Sequence, residues 1–205
     1  MNKKQLLAEL VAQGIHDPRV LDAIKKIPRQ SFVPEEEQLY AYANNALSIG
    51  HGQTISQPYV VALMTQAILA YSPQRVLEVG TGSGYQAAIL SLCVHSVYTV
   101  ERIKTLYEQA KARFAALHLN NVYSFYGDGC EGVVTQAPFD AIVVTARSSE
   151  IPAPLLKQLA SPGYLIMPVG DDTCQKLMLV IKKDDQYTYQ SLGTVAFVPL
   201  QGGFI

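Results

Sequence analysis

A chain of 205 residues, 49% hydrophobic and 16% charged, is long enough to bury one sizeable core and too apolar to be disordered. Its formal net charge of −1 argues against a protein whose main task is gripping nucleic-acid backbone, and no apolar run approaches the roughly 20 residues that a membrane helix needs. Cys93, Cys130 and Cys174 lie far apart, without the spacing of a zinc site or a disulfide framework, which points to a reducing, cytoplasmic setting.

Near the N-terminus Leu6, Leu7, Leu10 and Val11 recur at helical spacing, while Glu9 and Gln13 interrupt the apolar run. The pattern predicts an amphipathic helix rather than a signal peptide. Asp17-Pro18 is a cap followed by a first-turn proline and opens a second helix through about Lys26. "PRQSFVPEE" breaks the pattern, "EEEQLYAYA" predicts a short helix, and "ALSIGHGQTISQ" is a glycine-broken loop leading into the apolar helix "PYVVALMTQAIL". Residues 1–72 are therefore expected to form a helical segment and loop packed on a core of residues 73–205, the two making one structural domain.

From Arg75 the texture becomes strand-helix alternation: "RVLEV", "YQAAILSLC", "SVYTVE", "KTLYEQAKARFAAL", "NVYSFYGD", "FDAIVVTA", "APLLKQLA" and "GYLIMPVG". Such alternation predicts a parallel sheet with right-handed crossovers. The segment between "YLIMPV" and "KLMLVIKK" is too short for a crossover helix, so strand six should run antiparallel to strand five. "KDDQ" is a second tight connection that returns "YTYQSLGTVAFVPL" alongside it. The fold class is α/β: a doubly wound, mostly parallel seven-stranded sheet, Rossmann-like, of order 3-2-1-4-5-6-7 with strand six reversed.

Gly80, Gly82 and Gly84 follow the first strand, where open α/β sheets bind ligands. Their G-x-G-x-G spacing departs from the dinucleotide G-x-G-x-x-G, and such a turn can also exist only to let a helix pack on its strand. Three acids stand nearby: Glu78 within strand one, Glu101 at the tip of strand two, and Asp128 in the Gly127-Asp128-Gly129 turn after strand three. A carboxylate at the second strand's tip suits ribose hydroxyls. The set suits a nucleoside with a cationic tail better than a pyrophosphate, although Glu101 could instead complement a helix start. A nicotinamide-dependent oxidoreductase is the runner-up, weakened by the glycine spacing.

"VLEVGTGSGYQ", "VERIK" and "GDG" resemble the cofactor motifs of class I S-adenosylmethionine-dependent methyltransferases. The resemblance implies that Glu78, Gly80, Thr81, Gly82 and Gly84 hold the methionine end. It also implies that Glu101 and Arg102 serve the ribose, that Gly127 and Asp128 serve the adenine region, and that no metal is needed.

Upstream, "SIGHGQTISQP" resembles the signature loop of protein-L-isoaspartate O-methyltransferases, and "IPRQSFVP", "APFDAIVVTA", "MPVG" and "FVPL" match that family in order. This resemblance implies transfer of a methyl group from S-adenosyl-L-methionine, leaving S-adenosyl-L-homocysteine, to the free α-carboxylate of L-isoaspartyl residues in damaged proteins and peptides. Thr54 and Ile55 would adjoin the cofactor, and Thr54 and Ser56 would meet the substrate, with Ser56 the active-site serine. On residues alone, Ser56 also reads as the N-cap of the helix that Pro58 opens, and His51 reads as loop-shaping more than as a proton carrier. Arg147, in "RSS" where the family usually has small residues and proline, should border the substrate cleft. It is also the one feature favouring a homologue redirected to a single protein partner. The expected protein acts as a monomer on isoaspartyl proteins, with neither nucleic acid nor membrane as partner.

Overall fold

The computed structural model describes residues 1–184 and 186–205. Helices α1 (Lys3–Ala12) and α2 (Pro18–Lys26) precede two 3-10 turns, Arg29–Phe32 and Glu35–Tyr40. A hairpin of β1 (Leu47–Ser48) and β2 (Thr54–Ile55) then leads into α3 (Pro58–Leu69). The predicted glycine loop is thus a two-stranded flap, with Gly50, His51 and Gly52 all at positive φ in its turn. His51 shapes that turn and is exposed.

The remaining chain runs β3 (Arg75–Val79), α4 (Tyr85–Ser91), β4 (Ser96–Glu101), α5 (Lys104–Ala116), β5 (Val122–Tyr126), β6 (Phe139–Val144), α6 (Ala153–Lys157), β7 (Leu159–Gly170), β8 (Gln175–Lys183) and β9 (Gln186–Val195). These strands form one seven-stranded sheet of order β5-β4-β3-β6-β7-β8-β9, the arrangement expected from loop lengths. β8 pairs antiparallel with both β7 and β9, from Gly163↔Lys182 to Gly170↔Gln175 on one side. Of the tight "KDDQ" connection, Asp184 has a positive φ and Asp185 lies outside the described residues.

Side chains alternate across the sheet. Val76 joins a large core that also contains Leu6, Leu10, Ile24, Val61, Ile68 and Phe114, so the N-terminal helices share one core with the sheet. Leu77 and Val79 face the other way, into a smaller core with Phe139, Leu155 and Leu165. Two elements differ from expectation. The "APLLKQLA" helix is a single turn and a half, because Leu159 already pairs with Phe139 in the sheet. The last strand stops at Val195, which frees Ala196–Ile205 to cross the carboxyl ends of the sheet. Among the described residues no helix is long and apolar enough to cross a membrane.

Candidate active site

The order of the sheet reverses between β3 and β6, and a doubly wound sheet binds its ligand at such a point. The glycine turn leaves β3 there. Gly80 and Thr81 donate their amides to the Val100 carbonyl at 3.0 and 3.2 Å, which holds the turn against the end of β4. Gly80 sits at φ +95, and a Cβ on it would lie 2.6 Å from Thr145 Oγ1. Thr145 itself donates to the Val79 and Gly80 carbonyls across the switch point. The turn is therefore bare backbone pressed between two strand ends.

Glu78, on the helix-rich face of β3, is completely buried. Its Oε2 accepts a short hydrogen bond from Thr99, whose Oγ1 stands 2.6 Å from Thr81 Oγ1. Its Oε1 has no partner and the residue lines the cleft beside Gly80 and Gly82. Burial pushes the Glu78 carboxyl up to about 8; the Thr99 bond opposes that rise and the charge of Glu101 adds to it. Glu101, at the tip of β4, accepts from the Gly82 amide at 2.8 Å through one oxygen and from the Ile103 amide at 2.9 Å through the other. Its charge thus both supports the turn and caps the entry to α5, so the helix-start reading is realised. Each oxygen keeps one lone pair for a further donor.

Beside these acids lies a cleft open to solvent, bordered by Thr54, Gly82, Glu101, Arg102 and the tail residues Val198–Gln201. The buried Glu78 carboxyl with its unpartnered oxygen, the Glu101 carboxylate and a glycine cradle suit a ligand that carries hydroxyls and positive charge. Arg102, the cation at the cleft, points its guanidinium at the Gly203 carbonyl and at Gln201 rather than at a phosphate position.

Thr54 and Ser56 close the other side. Both border the small cleft over the glycine turn, together with Ile55, and both also border an outer groove lined by Asn45, Tyr59, Leu63 and the Leu192–Phe197 segment. Among the described residues neither hydroxyl has a hydrogen-bond partner. The N-cap of α3 is Gln57, with no side-chain cap of its own, so Ser56 is not the cap that its sequence context suggested. The Tyr59 amide is instead taken by Asn44 Oδ1 at 3.0 Å, from a loop thirteen residues before Gln57.

Four expected residues stand away from the cleft. Gly84 starts α4 at φ +89, where a Cβ would lie 2.8 Å from the Phe114 ring, so it serves close helix packing. Gly127 donates to the Glu101 carbonyl at 3.0 Å and does not reach the cleft surface. Asp128 is held at both oxygens, by the Cys130 amide at 2.8 Å and the Gly203 amide at 2.5 Å. Arg147 turns its guanidinium onto Asp172, while its backbone pairs with Val198 and Leu200. Sequence reasoning missed the tail as a wall of the cleft. "FVPL" was noticed but had no partner in the sequence, because the residues it meets are far away in the chain.

The family model described as Protein-L-isoaspartate(D-aspartate) O-methyltransferase (PCMT) matches residues 1–204. A protein-L-isoaspartate O-methyltransferase of Dictyoglomus thermophilum is 50% identical over 204 residues, covering 99% of this chain and 93% of its own. One from Aeromonas hydrophila subsp. hydrophila is 52% identical over 200 residues, covering 98% of this chain and 97% of its own. A solved protein-L-isoaspartate O-methyltransferase superposes with a TM-score of 0.89 at 30% identity, over 99% of this chain and 67% of that one. A Plasmodium falciparum structure given the same enzyme name, in complex with S-adenosyl-L-homocysteine, superposes with a TM-score of 0.86 at 28% identity, over 98% and 99% of the two chains.

Proposed function

The chain belongs to the protein-L-isoaspartate O-methyltransferase family, and from that premise we propose that Ser56 and Thr54 fix the acceptor while Glu78, Glu101 and the Gly80–Gly82 turn hold the donor. The enzyme transfers a methyl group from S-adenosyl-L-methionine to the free α-carboxylate of L-isoaspartyl residues in damaged proteins and peptides. When bound, the cofactor supplies the methyl group as an electrophile on its sulfonium.

One observation carries the assignment of roles: the two unpaired hydroxyls stand on the partition between the cleft over the glycine turn and the outer groove. An acceptor lying in the groove presents its carboxylate to them. That carboxylate has a pKa of roughly 3.5, so at pH 7 it is already an anion and no side chain has to remove a proton. The protein's task is alignment, which in well-oriented systems is worth up to about 7–11 kcal/mol. Ser56 donates its hydroxyl proton to one carboxylate oxygen as a hydrogen bond and leaves the other free to react. A normal aspartyl side chain carries its carboxylate displaced by a methylene, so the same donor stays unpaired. The methyl ester then closes to a succinimide as the following amide nitrogen attacks and methanol leaves, and hydrolysis reopens the ring partly as aspartate.

Two further readings follow. Action as a monomer is part of this proposal. Cys93, Cys130 and Cys174 are all free thiols, which supports a reducing, cytoplasmic location. The redirected-specificity alternative rested on Arg147, whose guanidinium is engaged by Asp172.

The test is labelled methyl transfer to a matched pair of isoaspartyl and aspartyl peptides, with calorimetry of S-adenosyl-L-homocysteine. Ser56→Ala should lower kcat/KM for the isoaspartyl peptide by about tenfold or more, the loss of one hydrogen bond to a charged group, with homocysteine-product affinity unchanged. Wild-type turnover in that variant would remove Ser56 from the mechanism.

A further inference from the structure

We infer that Asn44 is a positioning residue that keeps the Ser56 hydroxyl out of the helix cap and available to the acceptor; this rests on the role given to Ser56 above.

The argument starts from what Ser56 would otherwise do. A serine just before a helix gives its oxygen to an amide two or three residues on, and this satisfies one of the four unpaired donors of the first turn. Two residues after Ser56 stands Pro58, which has no N–H. Three residues after it stands Tyr59. The Tyr59 amide is thus the single donor that a capping Ser56 could take. In the folded chain it is already taken: Asn44 Oδ1 accepts from it at 3.0 Å.

Asn44 is built to hold that position. It is 8% exposed, and both ends of its side-chain amide and its main-chain carbonyl are engaged. Its Nδ2 donates to Glu9 Oε1 on α1 at 2.8 Å and to Oε1 of Gln13, the C-cap of that helix, at 3.2 Å. Its carbonyl accepts from Gln57 Nε2 at 2.8 Å, the side chain next to Ser56. The loop that carries it is braced in turn by buried Arg29, which donates to the Ala41 carbonyl at 2.8 Å and the Asn45 carbonyl at 3.2 Å. The first helix of the chain thereby reaches the catalytic hydroxyl through one amide group. Ser56, relieved of capping, has no partner among the described residues and borders the cleft.

Without Asn44 the Tyr59 amide would be left unpaired beside a serine able to reach it, and the hydroxyl would rotate to cap the helix. Catalysis would then suffer through Ser56, and only through Ser56.

The experiment is a double-mutant cycle read as kcat/KM on isoaspartyl and aspartyl peptides, with S-adenosyl-L-homocysteine affinity measured on each variant. Asn44→Ala should lose about tenfold in kcat/KM for the isoaspartyl peptide while homocysteine-product affinity holds. Added to Ser56→Ala, it should cost nothing more. Glu9→Gln with Asn44→Asp keeps the accepting oxygen, gives it a donor on α1, and should restore activity. If Asn44→Ala does not fold, Asn44→Ser takes its place, since its oxygen is one bond shorter. Two outcomes overturn the inference: losses from Asn44→Ala and Ser56→Ala that multiply in the double variant, or an Asn44 variant that loses thermal stability yet keeps wild-type kcat/KM. A Ser56→Ala enzyme with wild-type activity overturns the role of Ser56 itself, and is distinguishable from either.

Discussion

Glu78 should make the protein less stable as pH rises, and Glu78→Gln should abolish that dependence. The carboxyl is fully buried, one oxygen bonded to Thr99 and the other without a partner. Burial raises it from 4.5 to about 8. Between those values the folded chain keeps a proton that the unfolded chain has lost. The unfolded state therefore binds fewer protons, and stability falls with increasing pH across that window. At pH 7 the group lies two and a half units above its unfolded value, worth roughly 3 kcal/mol at ~1.4 kcal/mol per unit. By pH 8, where the folded group is itself half ionised, the cost is about 4 kcal/mol, large against a typical total of 5–15 kcal/mol. Glutamine preserves the acceptor for Thr99 and cannot ionise. Urea denaturation of both proteins at pH 5, 6 and 7 checks this: the variant should exceed wild type by only about 1 kcal/mol at pH 5 and by about 3 kcal/mol at pH 7. A gap that stays constant across the three pH values would refute the reasoning, because only a titrating group can open it.

Two further outcomes test the packing of the fold. Gly84→Ala places a methyl group 2.8 Å from the Phe114 ring at φ +89, so it should destabilise by about 2–4 kcal/mol in denaturant melts, and Phe114→Leu in the same chain should recover part of that loss. Equal stability for Gly84→Ala would mean that the turn relaxes more freely than its contacts suggest. Burial, with the charge of Asp17 adding, pushes the Cys93 thiol up to about 11, whereas Cys174 is exposed. At pH 8 a thiol reagent followed by mass spectrometry should modify Cys174 and spare Cys93 until denaturant is added; labelling of both at one rate would contradict that.

Arg29 shows how deeply the N-terminal segment is tied to the cofactor turn. It is completely buried, and its guanidinium stacks 4.9 Å from the ring of Tyr85, the first residue of α4. Burial lowers its pKa to about 10 and raises that of Tyr85 to about 12. Phe32 meets the same ring edge-on at 5.4 Å. "PRQSF" in the sequence reads as a break between helices. In the fold it is a bracket that carries the glycine turn's helix.

Local chemistry made much of this protein legible in its sequence. The β3 glycine turn, the acid at the tip of β4 and the serine before α3 were each found from short-range pattern, because backbone turns and strand ends impose their residues locally. The order of the sheet followed as well, since a connection too short for a helix leaves only an antiparallel neighbour. Partnerships over long separations were decided by tertiary structure alone. Asp128 and Arg102 looked like ligands for a nucleoside and are held by Gly203 and Gln201, 75 and 99 residues further on. Arg147 looked like a substrate contact, and one of its guanidinium nitrogens meets Asp172. Ser56 looked like a cap, but the Tyr59 amide that it would take is held by Asn44. The physical reason is common to all four: an unpaired charge, hydroxyl or amide has chemistry that its neighbours in the chain can advertise, but which partner satisfies it depends on what packing brings within about 3 Å.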